Sequence, residues 1–383
     1  MDNSTSPHTR WRRFTLWLAG AVAVAGIVLA VMALTPDKAD AAGTAPTAAA
    51  PAPVQVAVTA ASARDGGTVD AIRRRGTLRC GVGAVSEYAW RDDTGRMRGF
   101  RADFCRALAA VVLDSPDAVE FVSLIASTRF KKLQDGSVDV LVAGVTWTMT
   151  READVGLAFT TPILYDGQGF IARRGSGMER LDDVTTPARV CVIADTTTER
   201  NLKAYIRETG LPLTVESRHT QDGTWSAFLS RSCDLITGDR LSLMLARAVR
   251  TPDADDYLIL PDMISREPLT PAVRGDDPRW ESIVRFTIHA LLLAEHVGVD
   301  QARAAADDAQ AETPEARRLL GLDRGAGAAV GLDDAWARRA IATAGHYGEL
   351  FERTLGNGSR FGLPRGLNAL WTDGGLHYPL PLW

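Results

Sequence analysis

Between residues 78 and 249 the chain runs twice through the same order of strand-like and helix-like segments, and this repetition limits the possible folds more than any other feature. In the first pass, a short helix over 69–75 ends at Gly76-Thr77, and Leu78-Arg79-Cys80-Gly81-Val82 reads as a buried strand. Phe100, Phe104, Leu108, Val111 and Val112 mark an amphipathic helix over 99–113. Residues 120–124 are strand-like, 129–134 are helical up to Asp135-Gly136, and 138–142 form a strand again. The second pass has a strand over 189–193 and a helix opened by Thr196-Thr197-Thr198, residues suited to an N-cap. After these come a strand at 213–216, a helix at 224–230, a strand at 233–237 and a helix at 241–249. Such alternation predicts an α/β sandwich on a largely parallel sheet, and its repetition predicts two lobes. Beyond Arg274 the pattern is nearly all helical (280–293, 301–311, 314–320 and 333–355), and 360–383, rich in Gly, Pro and aromatics, reads as an irregular wrap.

The N-terminal part has a different character. Arg10, Arg12 and Arg13 precede an uncharged apolar run over 14–34, and Ala39-Asp40-Ala41 offers a small-residue cleavage site. The run is long for a signal core and long enough to span a bilayer, so residues 1–41 read as a signal peptide or an N-terminal membrane anchor. Either one exports the rest of the chain, and the run is not succeeded by a cysteine that could carry a lipid. Residues 42–67, mostly Ala, Pro, Thr and Val, read as a tether.

Charge and motifs exclude several classes. There are 43 Lys and Arg against 47 Asp and Glu, so the chain lacks the basic surplus that nucleic acid calls for. Gly81-Val82-Gly83 comes after a strand, but the third glycine of a dinucleotide loop is missing. Walker A, GxSxG and HExxH motifs are absent from the sequence, and the histidines His8, His219, His289, His296, His346 and His377 have no metal spacing. No cofactor is expected. Cys80, Cys105, Cys191 and Cys233 are too far apart for a CxxC zinc site.

Several segments, taken in order from about residue 68 to the end, resemble an extracytoplasmic solute-binding protein of an ABC transporter, of the polar and general L-amino-acid-binding branch. They are Leu78-Arg79-Cys80-Gly81-Val82, Gly99-Phe100-Arg101-Ala102-Asp103-Phe104-Cys105, Thr146-Trp147-Thr148-Met149-Thr150-Arg151 and Tyr165-Asp166-Gly167-Gln168-Gly169-Phe170. Thr196-Thr197-Thr198-Glu199, Glu267-Pro268-Leu269-Thr270-Pro271-Ala272-Val273-Arg274, Tyr347-Gly348-Glu349-Leu350-Phe351-Glu352-Arg353 and Gly366-Leu367-Asn368-Ala369-Leu370-Trp371 continue the pattern.

The resemblance implies a type II periplasmic-binding-protein fold with a helical C-terminal extension. It implies one lobe from 68–168 and 273–383 and a second from 169–272, with hinge strands near 167–172 and 265–274. It also implies a periplasmic or otherwise extracytoplasmic location, a small-molecule ligand (an amino acid), an ABC permease as partner, and capture by hinge closure. A buried zwitterion needs both its charges met. The resemblance assigns the ligand carboxylate to Arg151 with Thr146 and Thr148, and to Thr197 or Thr198 at a helix start. It assigns the ammonium to Asp239 and an aromatic contact to Tyr88. It pairs Cys80 with Cys105 and Cys191 with Cys233.

Two departures from that pattern bear on selectivity. Val142, Ala143, Gly144 and Val145 stand where polar residues are common, and Asp195 stands where glycine is common, adding a carboxylate that repels an acid group or attracts a cation. Two other functions use the same fold: an anchored sensor or interaction protein, and a lyase acting on a small carboxylic acid, with Glu87 or Asp195 as its acid or base.

Overall fold

The structure, a computed structural model, describes residues 67–83, 88–325 and 327–382. The expected leader or anchor, nearly all of the tether, and Glu87 lie outside the described residues. Among the described residues no helix is long and apolar enough to cross a membrane.

The chain opens with helix α1 (Gly67–Arg75), strand β1 (Leu78–Gly83), a small ribbon of β2 (Trp90–Arg91) and β3 (Met97–Arg98), and α2 (Phe100–Leu113). Next come β4 (Val119–Leu124), α3 (Arg129–Gln134), β5 (Val140–Leu141), α4 (Met149–Val155) and β6 (Leu157–Phe159). Strands β7 (Leu164–Asp166) and β8 (Gln168–Arg173) lead into β9 (Ala188–Ile193), α5 (Thr197–Thr209), β10 (Leu213–Arg218) and α6 (Gln221–Leu229). Beyond them lie β11 (Leu235–Asp239), α7 (Arg240–Arg250), β12 (Tyr257–Ile259), β13 (Glu267–Leu269) and β14 (Ala272–Arg274). The last helices are α8 (Pro278–Val297), α9 (Gln301–Ala305), α10 (Pro314–Leu319), α11 (Trp336–Ala344) and α12 (Tyr347–Thr354).

These strands form two five-stranded sheets, ordered β4-β1-β5-β14-β6 and β10-β9-β11-β8-β12. In each sheet the first three strands are parallel, the fourth (β14 or β8) runs antiparallel to them, and the last (β6 or β12) pairs antiparallel with the fourth and so runs in the direction of the first three. Strands buried on both faces explain the apolar runs seen in the sequence. The two-residue period sends Val140 to one core of the first sheet and Leu141 to the other. In the second sheet it sends Phe170, Val190 and Leu235 to one face and Ile171, Cys191 and Ile236 to the other. Disulfides Cys80–Cys105 and Cys191–Cys233, the pairs implied by the resemblance, staple one strand in each core.

Caps set the helix boundaries. Thr148 Oγ1 accepts from Arg151 N at 3.2 Å and starts α4, and Thr196 Oγ1 accepts from Glu199 N at 3.2 Å and starts α5. Asp277 accepts from Trp280 N at 2.9 Å, with Pro278 at the first turn of α8.

Two segments cross between the sheets. They pair with each other as β7 and β13, with Asp166 opposite Glu267 and Leu164 opposite Leu269. The first crossing thus lies just upstream of 167–172, because Gln168 already pairs with Asp239 in the second sheet. The C-terminal wrap grips this crossing: Asn368 Oδ1 accepts from Tyr165 N at 2.7 Å and its Nδ2 donates to Tyr165 O at 3.0 Å.

Three expected elements differ. The helix expected over 301–311 stops at Ala305, where Ala306 turns extended. The one expected over 333–355 divides at Gly345, and His346 caps α12 by accepting from Glu349 N at 3.2 Å. The strand expected over 233–237 runs instead from Leu235 to Asp239, because it pairs along β8 as far as Gln168.

Candidate functional site

Parallel strands aim their C-terminal ends at one edge of a sheet, and loops at that edge are where open α/β sheets hold ligands. Here the two such edges face one another across a cavity of about 230 Å³. The ends of all six parallel strands contribute to its lining: Gly83, Ile125 and Gly144 after β1, β4 and β5, and Thr196, Thr220 and Asp239 at the ends of β9, β10 and β11.

The first sheet supplies cations. Arg129, at the start of α3, lines the cavity and is 8% exposed. Its Nε is buried without a hydrogen-bond partner among the described residues, and its guanidinium carbon stands 5.1 Å from the Phe130 ring centroid. Burial, with Arg151 nearby, lowers its pKa to about 9, and Asp239 opposes that shift. Arg101, on α2, also lines the cavity, with its guanidinium 4.1 Å from the centroid of the Tyr88 ring. Gly144 makes room for it. A Cβ there would collide with Arg101 Nη2, and φ of 62° disfavours other residues in any case.

The second sheet supplies an anion. Asp239 ends β11 and stands at the N-cap of α7, yet its side chain makes no cap bond. Among the described residues it has no ion pair, and its pKa is raised to about 7 by burial and then by Glu267, against the pull of Arg101, Arg129 and Arg151. Nearby Asp166 is pushed up by burial and by Asp239, while its carboxylate accepts from Gly167 N at 2.8 Å and Leu241 N at 3.0 Å.

Thr146, Thr197, Thr198 and Asp239 are brought together on the cavity lining. Thr146 and Thr197 touch at 3.1 Å between their hydroxyls. Both hydroxyls donate to Glu267 Oε2, at 2.5 and 3.2 Å, so toward the cavity they offer lone pairs.

Arg151 is buried, but it stands behind Thr146 rather than on the lining, and its Nη1 donates to Thr146 O at 2.8 Å. Burial and Arg200 lower its pKa to about 10, opposed by Glu267 and Asp239. Thr148 and Tyr88 are not on the lining: Thr148 is committed to capping α4, and Tyr88 is buried beneath Arg101. Asp195 is exposed, off the lining, at φ 61°, a backbone conformation that explains why glycine suits the position. It therefore brings no carboxylate into the cavity, and the lyase role considered for it is not placed there.

Sequence reasoning missed Arg101 and Arg129. Both sit at the starts of ordinary amphipathic helices, where an arginine reads as a solvated face. Their positions at the mouth of the parallel strands were the available signal.

The sequence model for bacterial extracellular solute-binding proteins, family 3, matches residues 78–309. The chain belongs to this family. It is 40% identical to the glutamate/glutamine/aspartate/asparagine-binding protein BztA of Rhodobacter capsulatus, over 86% of this chain and 97% of that protein. It is 37% identical to the general L-amino acid-binding periplasmic protein AapJ of Rhizobium johnstonii, over 84% of this chain and 94% of that one. A solved ABC transporter periplasmic binding protein from Brucella ovis with glutathione bound superimposes with a TM-score of 0.77 at 38% identity, covering 83% of this chain and 99% of that chain. As a family 3 solute-binding protein, the chain has the type II two-lobed fold and an extracytoplasmic place of work. The family and these relatives are binding proteins rather than enzymes.

Proposed function

We propose that this protein is the substrate-binding component of an ABC importer for an L-amino acid with an acidic side chain. One observation carries the reading: Arg129 and Asp239 stand on opposite walls of one cavity, and neither charge has an ion-pair partner among the described residues. Burying unpaired charges is costly, so a guest that meets both is strongly favoured. Asp239 takes the ammonium. Arg101, on the lining with Thr198 and the first amides of α5, holds the α-carboxylate, a role the resemblance gives to Arg151, which here stands behind Thr146. Arg129 takes the second acid group. The named ligands of BztA support a guest of this size and polarity. Glutathione, bound in the Brucella relative, carries the same set of one ammonium and two carboxylates and belongs in any ligand panel.

Lobes 68–168 with 273–383 and 169–272 would close on the guest and present it to a membrane permease. Binding without turnover is the proposed role, and no step here calls for a cofactor. Residues 1–41 would export the chain as a cleaved leader or a retained anchor, and N-terminal sequencing of the exported protein distinguishes the two.

Titration calorimetry of the exported protein with L-glutamate, L-glutamine and glutathione tests the ligand class. Glutamate is expected to bind more tightly than glutamine. Arg129→Ala is expected to weaken glutamate about tenfold while leaving glutamine nearly unchanged. Equal losses for the two would remove the acid subsite, and no heat with any amino acid would remove the reading.

A further inference from the structure

Glu267 has no part in the ligand assignment, yet among the described residues it accepts four side-chain hydrogen bonds between the two lobes. It lies on the crossing strand β13 and is 2% exposed. Its Oε2 accepts from Thr146 at 2.5 Å and from Thr197 at 3.2 Å. Its Oε1 accepts from Asn201 Nδ2 at 2.8 Å and from Ser265 Oγ at 2.6 Å. These donors come from three places. Thr146 lies beyond β5 of the first sheet, Thr197 and Asn201 ride on α5 of the second lobe, and Ser265 belongs to the crossing segment itself.

We infer that Glu267 is an interlobe latch, a carboxylate whose bonds exist in full only when the lobes are closed. This role rests on the reading of the protein as a hinged binding protein. A carboxylate accepts through two oxygens, and here both are saturated by donors that a hinge rotation separates. Thr197 and Asn201 move with α5, while Thr146 moves with the first sheet. Opening the cleft therefore takes either the two α5 donors or Thr146 away from the same buried charge. Charge-assisted bonds are the stronger kind, so the closed form gains an advantage that does not depend on the guest.

The latch also touches the site. Thr146 and Thr197 line the ligand cavity on one side and a polar groove with Asn201, Ser265 and Glu267 on the other. A guest seated against these two hydroxyls rests on the groups that Glu267 orients. Binding and latching then reinforce one another, because each favours the closed lobes.

The test is Glu267→Gln in the exported full-length protein, read by small-angle scattering and by calorimetry with L-glutamate. The amide keeps the shape and removes the charge. Without glutamate the variant is expected to have a larger radius of gyration than wild type, and with saturating glutamate the same radius as wild type. Its affinity is expected to fall about tenfold, because only the closed fraction of a hinged protein binds tightly. Asn201→Ala, on a half-buried residue, removes one second-lobe donor and is expected to shift both readings in the same direction, by about threefold in affinity. This second variant keeps the test open should Glu267→Gln fail to fold. Unchanged radius and unchanged affinity in the folded variants would overturn the latch. If wild type bound no glutamate, the ligand class would fail, while the scattering comparison between unliganded wild type and variant would still decide the latch.

Discussion

The two sheets follow the same plan, three parallel strands, one strand running against them and an edge strand that turns back to their direction, but they differ in charge and in bulk. The first brings Arg101 and Arg129 to the cavity, while the second brings Asp239 and a row of threonines. The first also packs its main core against the long α8 and the helices after it, whereas the second rests on two small clusters, one per face. The difference teaches how a duplicated plan becomes a binding device. Equal backbones place equivalent loops face to face, and unequal side chains at those loops make one side a cation and the other an anion. A zwitterion is then the guest that satisfies both.

The largest expected effect probes the difference in bulk. In the chain-entropy account, losing Cys191–Cys233, which spans 42 residues, costs about 4 kcal/mol, and losing Cys80–Cys105, which spans 25, costs about 3.5 kcal/mol. The thin second lobe has less core to absorb the loss. Paired Cys→Ser variants in urea are therefore expected to show the second-lobe pair unfolding first. A larger loss for the first-lobe pair would reverse the comparison.

The next effect probes the charge. Asp239→Asn removes the single anion assigned to the guest's ammonium, and glutamate affinity is expected to drop about a hundredfold by calorimetry, about 2.7 kcal/mol. The same change is expected to raise the melting temperature of the unliganded protein above pH 7. Linkage gives the sign. The folded state holds the Asp239 proton up to about pH 7, well above its ordinary range. Stability therefore falls as pH rises from about 4 to about 7, and the full cost stays above that. An asparagine escapes that cost. A variant that lost affinity without gaining stability at high pH would show that Asp239 is not the strained partner.

The smallest effect is a titration of the same group. Ammonium binding needs the ionised carboxylate, so affinity for glutamate is expected to fall about tenfold between pH 8 and pH 6. A flat profile over that range would assign the ammonium elsewhere.

Much of this plan was legible in the chain itself. The alternating strands β1, β4, β9 and β10 and the cap at Thr196 announce themselves through local chemistry, the apolar run and the hydroxyl before a helix, whereas the cap at Thr148 was not read. Of the residues taken from the resemblance, Asp239, Thr146, Thr197 and Thr198 lie on the cavity lining, while Thr148, Arg151 and Tyr88 do not. Other features depended on contacts far apart in sequence. Arg129 reads as a surface arginine until β4 and β5 bring its helix to the cavity wall. Glu267 sits beside Pro268 in a segment with no periodicity, and its four donors lie between 2 and 121 positions away. The break at Gly345 was hidden by a helical pattern that continues on both sides, because α11 and α12 each keep an apolar face.

The placement of β14 carries a consequence for biogenesis. This strand, residues 272–274, lies between β5 and β6 in the first sheet, and Asn368 fastens the crossing at Tyr165 from still further along the chain. A polypeptide threaded N-terminus first through a translocation pore cannot assemble that sheet from its early part alone, since an inner rung is still to come. On export in that direction, completion of the first sheet would wait for residues 272–274 to arrive on the far side.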